Sequence, residues 1–363
     1  AGAGFIGSPL PVFGRTPDVG WTWTANRPDH GDVYRLELNP DDPEQYRFGD
    51  DWREFERRDV AYQLPDGEEV TEIIRWSVHG PVTRHDPSEG LAVAYWISAY
   101  GLEDPPIQFY EMVKAGDLDE LEKAMSRMQF ASFNMVAADS AGDVLYVNGG
   151  RVPRRPEGIK ARRPLDGSDP SLVWTEMIPW SELPAVRRPA NGWVQNCNND
   201  PSTTTGTEID PTPESYAPGT VKPSRKSDTV RAWYLRKLLE AETNLDAERA
   251  QEITADVTMI PHGPIRDRLD LAWKEYSGDY PDRSMIERDV RDLLAWDGQP
   301  DVQSPLPTLF LLWLYMYADQ AMVSVDFLER SLDSLDSTDA FRMFDTLRDA
   351  RKRIGKLLPF GSD

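Results

Sequence analysis

The feature that most limits how this chain folds is a single change of hydrophobic period along its length. Through the first two hundred residues, "PLPVFGR", "VGWTWTA", "DVYRLELN", "EIIRWSVHG", "LAVAYWISAY", "NMVAADSAG" and "DVLYVNGG" are short runs of β-branched and aromatic side chains. Turn residues bound them, so they read as strands. One helical pair interrupts, "PIQFYEMVKAG" and then "DLDELEKAMSRM", whose Leu118, Leu121, Met125 and Met128 are expected on one face. From about Ser227 the apolar spacing becomes helical: "SDTVRAWYLRKLLEAE", "NLDAERAQEITADVTM", "RSMIERDVRDLLAWD", an apolar stretch near 310, and "DAFRMFDTLRDARKRIGKLL". Strands followed by helices argue an α+β fold. The expected organisation is a β-rich part over 1–226, with a Pro- and Arg-rich surface excursion at 151–190. A mainly helical segment of the same domain follows over 227–363.

Charge narrows the partners. With 62 acidic against 40 basic residues the chain carries a formal charge of −22. No long basic run exists to neutralise phosphates, so nucleic acid and anionic membrane are excluded as expected partners. The apolar run Leu309–Tyr317 is far shorter than the roughly 20 residues of a membrane span and reads as a buried helix. Cys197 is the only cysteine, which rules out an internal disulfide and cysteine-based zinc. The four histidines, His30, His79, His85 and His262, have no metal-binding spacing. The chain opens on Ala1-Gly2-Ala3-Gly4 and stops at "LLPFGSD", which reads as a fragment of a longer protein.

Site chemistry is sparse. No G-x-S-x-G elbow, P-loop or dinucleotide fingerprint occurs, and neither His79 nor the "PHGP" at 261–264, which repeats its "HGP", accompanies a nucleophile motif. In "RPDHGDVY", Asp29 and Asp32 sit three apart in a loop, a spacing open both to a solvated turn and to calcium. "NGWVQNCNNDP" (191–201) reads as a short strand running into three asparagines, more than a turn requires. Arg231 opens the helix "VRAWYLRKLLE", where its charge opposes the helix dipole.

In order and spacing these pieces resemble the β-chain of the penicillin acylase family of N-terminal-nucleophile amidohydrolases. The resemblance is carried by "PLPVFGRTPDVGWTWTA", "DVYRLELNPDDPEQYRFGDDWREFERRDV", "RWSVHGPV", "NMVAADSAGDVLYVNGGRVPRR", "GWVQNCNNDP" and "VRAWYLRKLLE". It covers nearly the whole chain and is weakest in 151–190 and after about 300. The second segment looks most like the acyl-homoserine-lactone and aculeacin acylases. An αββα sandwich, in part, is the fold it implies.

By that resemblance the nucleophile is a serine freed as the β-chain N-terminus by self-cleavage, with its own α-amine as base. Such a serine would precede the first residue here, and Ser8 does not qualify. The resemblance assigns the oxyanion donors to the Ala25 backbone N–H and the Asn198 side-chain amide, and an orienting role to Arg231. It places Phe13, Trp23, Tyr110 and Phe133 along the acyl pocket, and Asp29 and Asp32 at a structural calcium site; no organic cofactor is implied. The implied partners are a small acyl amide and the missing α-chain and β-chain N-terminal segment of the same precursor, and the implied location is periplasmic or secreted. The expected reaction releases a hydrophobic carboxylic acid from an acyl-homoserine lactone, a lipopeptide or a β-lactam nucleus. The fragment alone is expected to be inactive. Two other readings stay open, a non-catalytic secreted ligand-binding protein on the same scaffold and a calcium-dependent structural domain.

Overall fold

The computed structural model describes residues 1–159, 163–221, 228–319, 323–330 and 332–357. The chain divides into two compact units, Ala1–Ser224 and Arg225–Asp363. The expected change of pattern at Ser227 falls outside the described residues.

The first unit is built on two six-stranded sheets. One runs in the order Gly2–Ala3, Phe13–Arg15, Val19–Thr24, Ser132–Asp139, Val144–Gly150 and Ala185–Arg187, antiparallel throughout. The other runs Leu165–Asp166, Gly31–Glu37, Leu91–Ile97, Gly80–Asp86, Glu69–Ser77 and Glu56–Gln63. Its Leu165–Asp166 edge is parallel to its neighbour.

Alternation in the sequence becomes alternation in space. In Gly31–Glu37, Asp32, Tyr34 and Leu36 are buried while Val33, Arg35 and Glu37 are exposed. On the first sheet, Trp21, Trp23, Met135, Ala137, Leu145 and Val147 face the core, where Phe109, Met112, Leu121 and Met125 from the helices Pro105–Lys114 and Leu118–Met125 meet them. Met128 does not extend that helical face. The helix stops at Met125, and Met128 lies beyond it in the left-handed region, at φ 49°.

The 151–190 segment does more than cover a surface. Val152, Ile178 and Leu183 are buried with the first sheet's core, and Ala185–Arg187 supplies that sheet's edge strand. Residues 160–162 of it lie outside the described residues.

The second unit is helical: Val230–Glu240, Ala247–Thr254, His262–Tyr276, Arg283–Ala295, Leu306–Tyr317, Val325–Leu328 and Ser337–Leu357. The helix at 262–276 is not anticipated by the sequence reading. Pro264 stands in the first turn, where the missing N–H costs nothing. The apolar stretch near 310 is only half buried: Phe310, Trp313, Leu314 and Tyr317 face the core, whereas Leu311 and Tyr315 are exposed. No helix among the described residues is long and apolar enough to cross a membrane. Inside this core the Arg268 guanidinium donates to Asp339 through Nε (3.0 Å) and a terminal nitrogen (2.7 Å), and the Tyr317 hydroxyl donates to the same oxygen at 2.9 Å.

Candidate active site

The stretch 193–199 forms no strand. Side-chain amides hold it instead. Asn199 Oδ1 accepts from the Cys197 backbone N–H at 2.8 Å, and its Nδ2 donates to the carbonyl and hydroxyl of Thr203. Asp200 caps the short turn Pro201–Thr203 by accepting from the Ser202 N–H at 3.0 Å. Asn199 and Asp200-Pro201 are therefore the turn-makers of the asparagine cluster.

Asn198 is spared that work. It is exposed and left-handed, at φ 64°, a conformation that asparagine tolerates better than most L-residues. Its Nδ2 donates to the carbonyl of Ala25 at 2.8 Å. Ala25 follows directly on the strand Val19–Thr24, so two residues 173 positions apart meet at one sheet end. An amide nitrogen carries two hydrogens. The bond to Ala25 engages one of them.

Beneath this pair lies a buried polar network that the sequence reading does not single out. Asn196 Oδ1 accepts from the Thr24 hydroxyl, from Asn134 Nδ2 (3.0 Å) and from the backbone N–H of Asn198 (2.9 Å). Asn134, 2% exposed, also donates toward Thr24 Oγ1 and the Ala25 carbonyl. Its Oδ1 accepts from the Tyr146 hydroxyl at 2.9 Å. Burial, reinforced by the neighbouring Tyr216 and Asp200, holds the Tyr146 hydroxyl well above its ordinary range, so it stays protonated and donates. On the adjacent strand turn, Asn26 Nδ2 donates to Asn148 Oδ1 and to the Gly149 carbonyl.

On the sheet's helix-covered face, Trp23 lies 5.6 Å from Phe133 and 4.6 Å from Phe130 between ring centroids; Phe130 lies 4.8 Å from Phe109. Trp23 and Phe133 are thus brought together with two aromatics that the sequence reading does not name. Phe13 and Tyr110 are not brought into this cluster; they are 41% and 55% exposed. The reason for Tyr110 is helical geometry. Neighbours on a helix diverge by about 100°, so with Phe109 turned into the core Tyr110 points outward.

Asp29 and Asp32 do meet, and between them lies Arg155. Its Nε donates to Asp32 Oδ2 at 2.8 Å and its terminal nitrogen stands 3.4 Å from Asp29 Oδ1. Among the described residues, no three His, Cys, Asp or Glu are grouped to hold a metal. Arg231 belongs to the second unit, exposed in the first turn of Val230–Glu240, a helix capped by Thr229 Oγ1.

His79 is structural. Its Nε2 meets the Gly167 carbonyl at 2.9 Å and its ring stacks on Tyr34 at 4.1 Å. Burial lowers its pKa.

The penicillin amidase family pattern matches residues 1–356, and the chain belongs to that family. It is 24% identical over 290 residues to penicillin G acylase of Escherichia coli, covering 79% of this chain and 32% of the relative. Against an acyl-homoserine lactone acylase, PvdQ, of Pseudomonas fluorescens it is 28% identical over 54% of this chain and 29% of the relative. Penicillin acylase 2 proenzyme of a Pseudomonas species is 27% identical, over 81% and 36% respectively. The chain thus spans about a third of the length of these curated relatives. Among solved structures, the thermostable penicillin G acylase of Alcaligenes faecalis superposes with a TM-score of 0.71 at 22% identity, over 97% of this chain and 70% of that one, which establishes the shared fold.

Proposed function

We propose that this chain carries the oxyanion-binding part of an amidohydrolase that cleaves a linear amide and releases a hydrophobic carboxylic acid. The observation that carries this reading is the juxtaposition of Asn198 Nδ2 and Ala25 at the sheet end. The nucleophile is assigned to a serine outside these residues, with its free α-amine as base; an amine of pKa about 8 is close to the optimum for neutral pH. Attack of the serine oxygen on the amide carbonyl creates an oxyanion. The Asn198 side-chain amide and the Ala25 backbone N–H are the proposed donors to it; collapse of the adduct expels the amine, which takes the proton held by the α-amine, and water then hydrolyses the acyl-serine to release the carboxylic acid. The Trp23–Phe130–Phe133 cluster supplies the apolar wall for the acyl group. Relatives named for penicillin G and for acyl-homoserine lactones support these two substrate classes, and export from the cytoplasm is proposed with them.

The test is Asn198→Gly in enzyme expressed from the complete coding sequence, because glycine keeps the left-handed backbone and removes only the amide. Turnover of phenylacetyl amides or long-chain acyl-homoserine lactones should fall roughly 100- to 1,000-fold while the circular dichroism spectrum is unchanged. Activity within threefold of wild type overturns the assignment.

A further inference from the structure

The resemblance implies calcium at Asp29 and Asp32, and the residues around that pair do not fit it. Calcium takes about 6–8 oxygens. Here the face of Asp32 Oδ2 is taken by two N–H donors, Arg155 Nε at 2.8 Å and the Trp174 indole at 2.9 Å. The guanidinium reaches Asp29 as well, at 3.4 Å, and lies 5.7 Å from the centroid of the Trp174 ring. Its side chain is 10% exposed, and that of Asp32 is fully buried.

The surroundings are shaped for this guanidinium. The Asp29 backbone N–H donates to the Gly219 carbonyl at 2.8 Å, which draws the 219 turn over the pair. Gly219 has φ +89°, and a Cβ there would stand 3.1 Å from an Arg155 terminal nitrogen. The one feature that would welcome a metal is Asp32 Oδ1, which is buried without a hydrogen-bond partner. A divalent ion at that oxygen would lie beside a fixed positive charge, and no third carboxylate joins the pair among the described residues.

We infer that Arg155 is the built-in cation of this carboxylate pair, and that the pair takes no calcium. The guanidinium does the structural work of an ion, tying the loop before Gly31–Glu37 to the segment after Val144–Gly150. An always-charged planar fork suits that bridging role. The inference rests on the first unit's geometry alone and stands whether or not the catalytic reading does.

Two measurements on the chain decide it. Thermal unfolding is compared in calcium chloride and in EDTA, with terbium luminescence excited through tryptophan as a direct probe of the pair. The melts should superimpose, with no saturable terbium signal that depends on Asp32. Arg155→Gln should lower Tm by roughly 6–20 °C because it strands a buried carboxylate. Asp32→Asn introduced into that variant should restore part of the loss. A wild-type Tm that rises with calcium and falls with chelator, together with terbium luminescence abolished by Asp32→Asn, overturns the inference. So does a cycle in which the two substitutions simply add. Where Arg155→Gln does not accumulate as folded protein, Arg155→Lys, which keeps the charge and loses the fork, takes its place in the same cycle.

Discussion

Removing the Asn196 side chain tests whether the buried network, rather than the exposed amide, carries the stability of the site. Asn196→Ala deletes the one acceptor shared by the Thr24 hydroxyl, Asn134 Nδ2 and the Asn198 N–H. Their losses are unequal. Asn198 is exposed, so water replaces its partner, and Asn134 keeps Thr24 Oγ1 and the Ala25 carbonyl as acceptors. The Thr24 bond and the Asn196 Nδ2 bond to the Asn199 carbonyl are lost outright, and two bonds at about 0.5–1.5 kcal/mol each set the cost, roughly 1–3 kcal/mol. For a domain of this size that is a fall in Tm of about 2–12 °C. Asn198→Gly, which gives up the exposed bond to Ala25 and keeps the left-handed backbone, should cost less than Asn196→Ala. Calorimetry of both variants makes the comparison. Should Asn196→Ala melt with wild type while Asn198→Gly falls below it, the hierarchy of support drawn from these distances is wrong.

Burial lowers the pKa of His79, and with Nε2 donating to Gly167 its Nδ1 is buried without a partner. The folded pKa lies below the unfolded value near 6.5, so stability is full above that pH and is lost as pH falls toward the folded pKa. His79→Gln cannot ionise and should flatten the decline in Tm between pH 7 and 5; an unchanged slope in the variant refutes the assignment. In the second unit, Asp339→Ala leaves the Arg268 guanidinium buried without its carboxylate and should cost roughly 3–5 kcal/mol by urea denaturation. A loss below about 1 kcal/mol would mean that solvent reaches Arg268.

What the sequence makes legible is what periodicity encodes. The alternation in "DVYRLELN" predicts which side chains of Gly31–Glu37 are buried, and the spacing in "DAFRMFDTLRDARKRIGKLL" predicts the helix Ser337–Leu357. The hidden parts depend on residues far apart in the chain. Asn196 looks like one more turn asparagine until its partners Thr24 and Asn134, 172 and 62 positions away, are in place. Trp193–Gln195 has strand composition but joins no ladder among the described residues, and the Gln195 side chain bonds the Thr203 carbonyl instead. The resemblance implies a pocket position for Tyr110, yet helix phase turns Phe109 inward in its stead. The Asp29–Asp32 spacing is visible in one line of sequence, whereas the arginine that joins them arrives more than 120 positions later.

The handedness of Asn198 makes position 198 answer two independent questions at once. The backbone there accepts glycine, asparagine and, less readily, aspartate, while the proposed chemistry accepts only a short carboxamide. Glutamine carries the same functional group and fails on the first count; aspartate passes the first and inverts the charge required by the second. Substitution tables built on chemical similarity would rank these residues in the wrong order here. Asparagine is the single residue that satisfies both filters, which leaves drift at this site no neutral step.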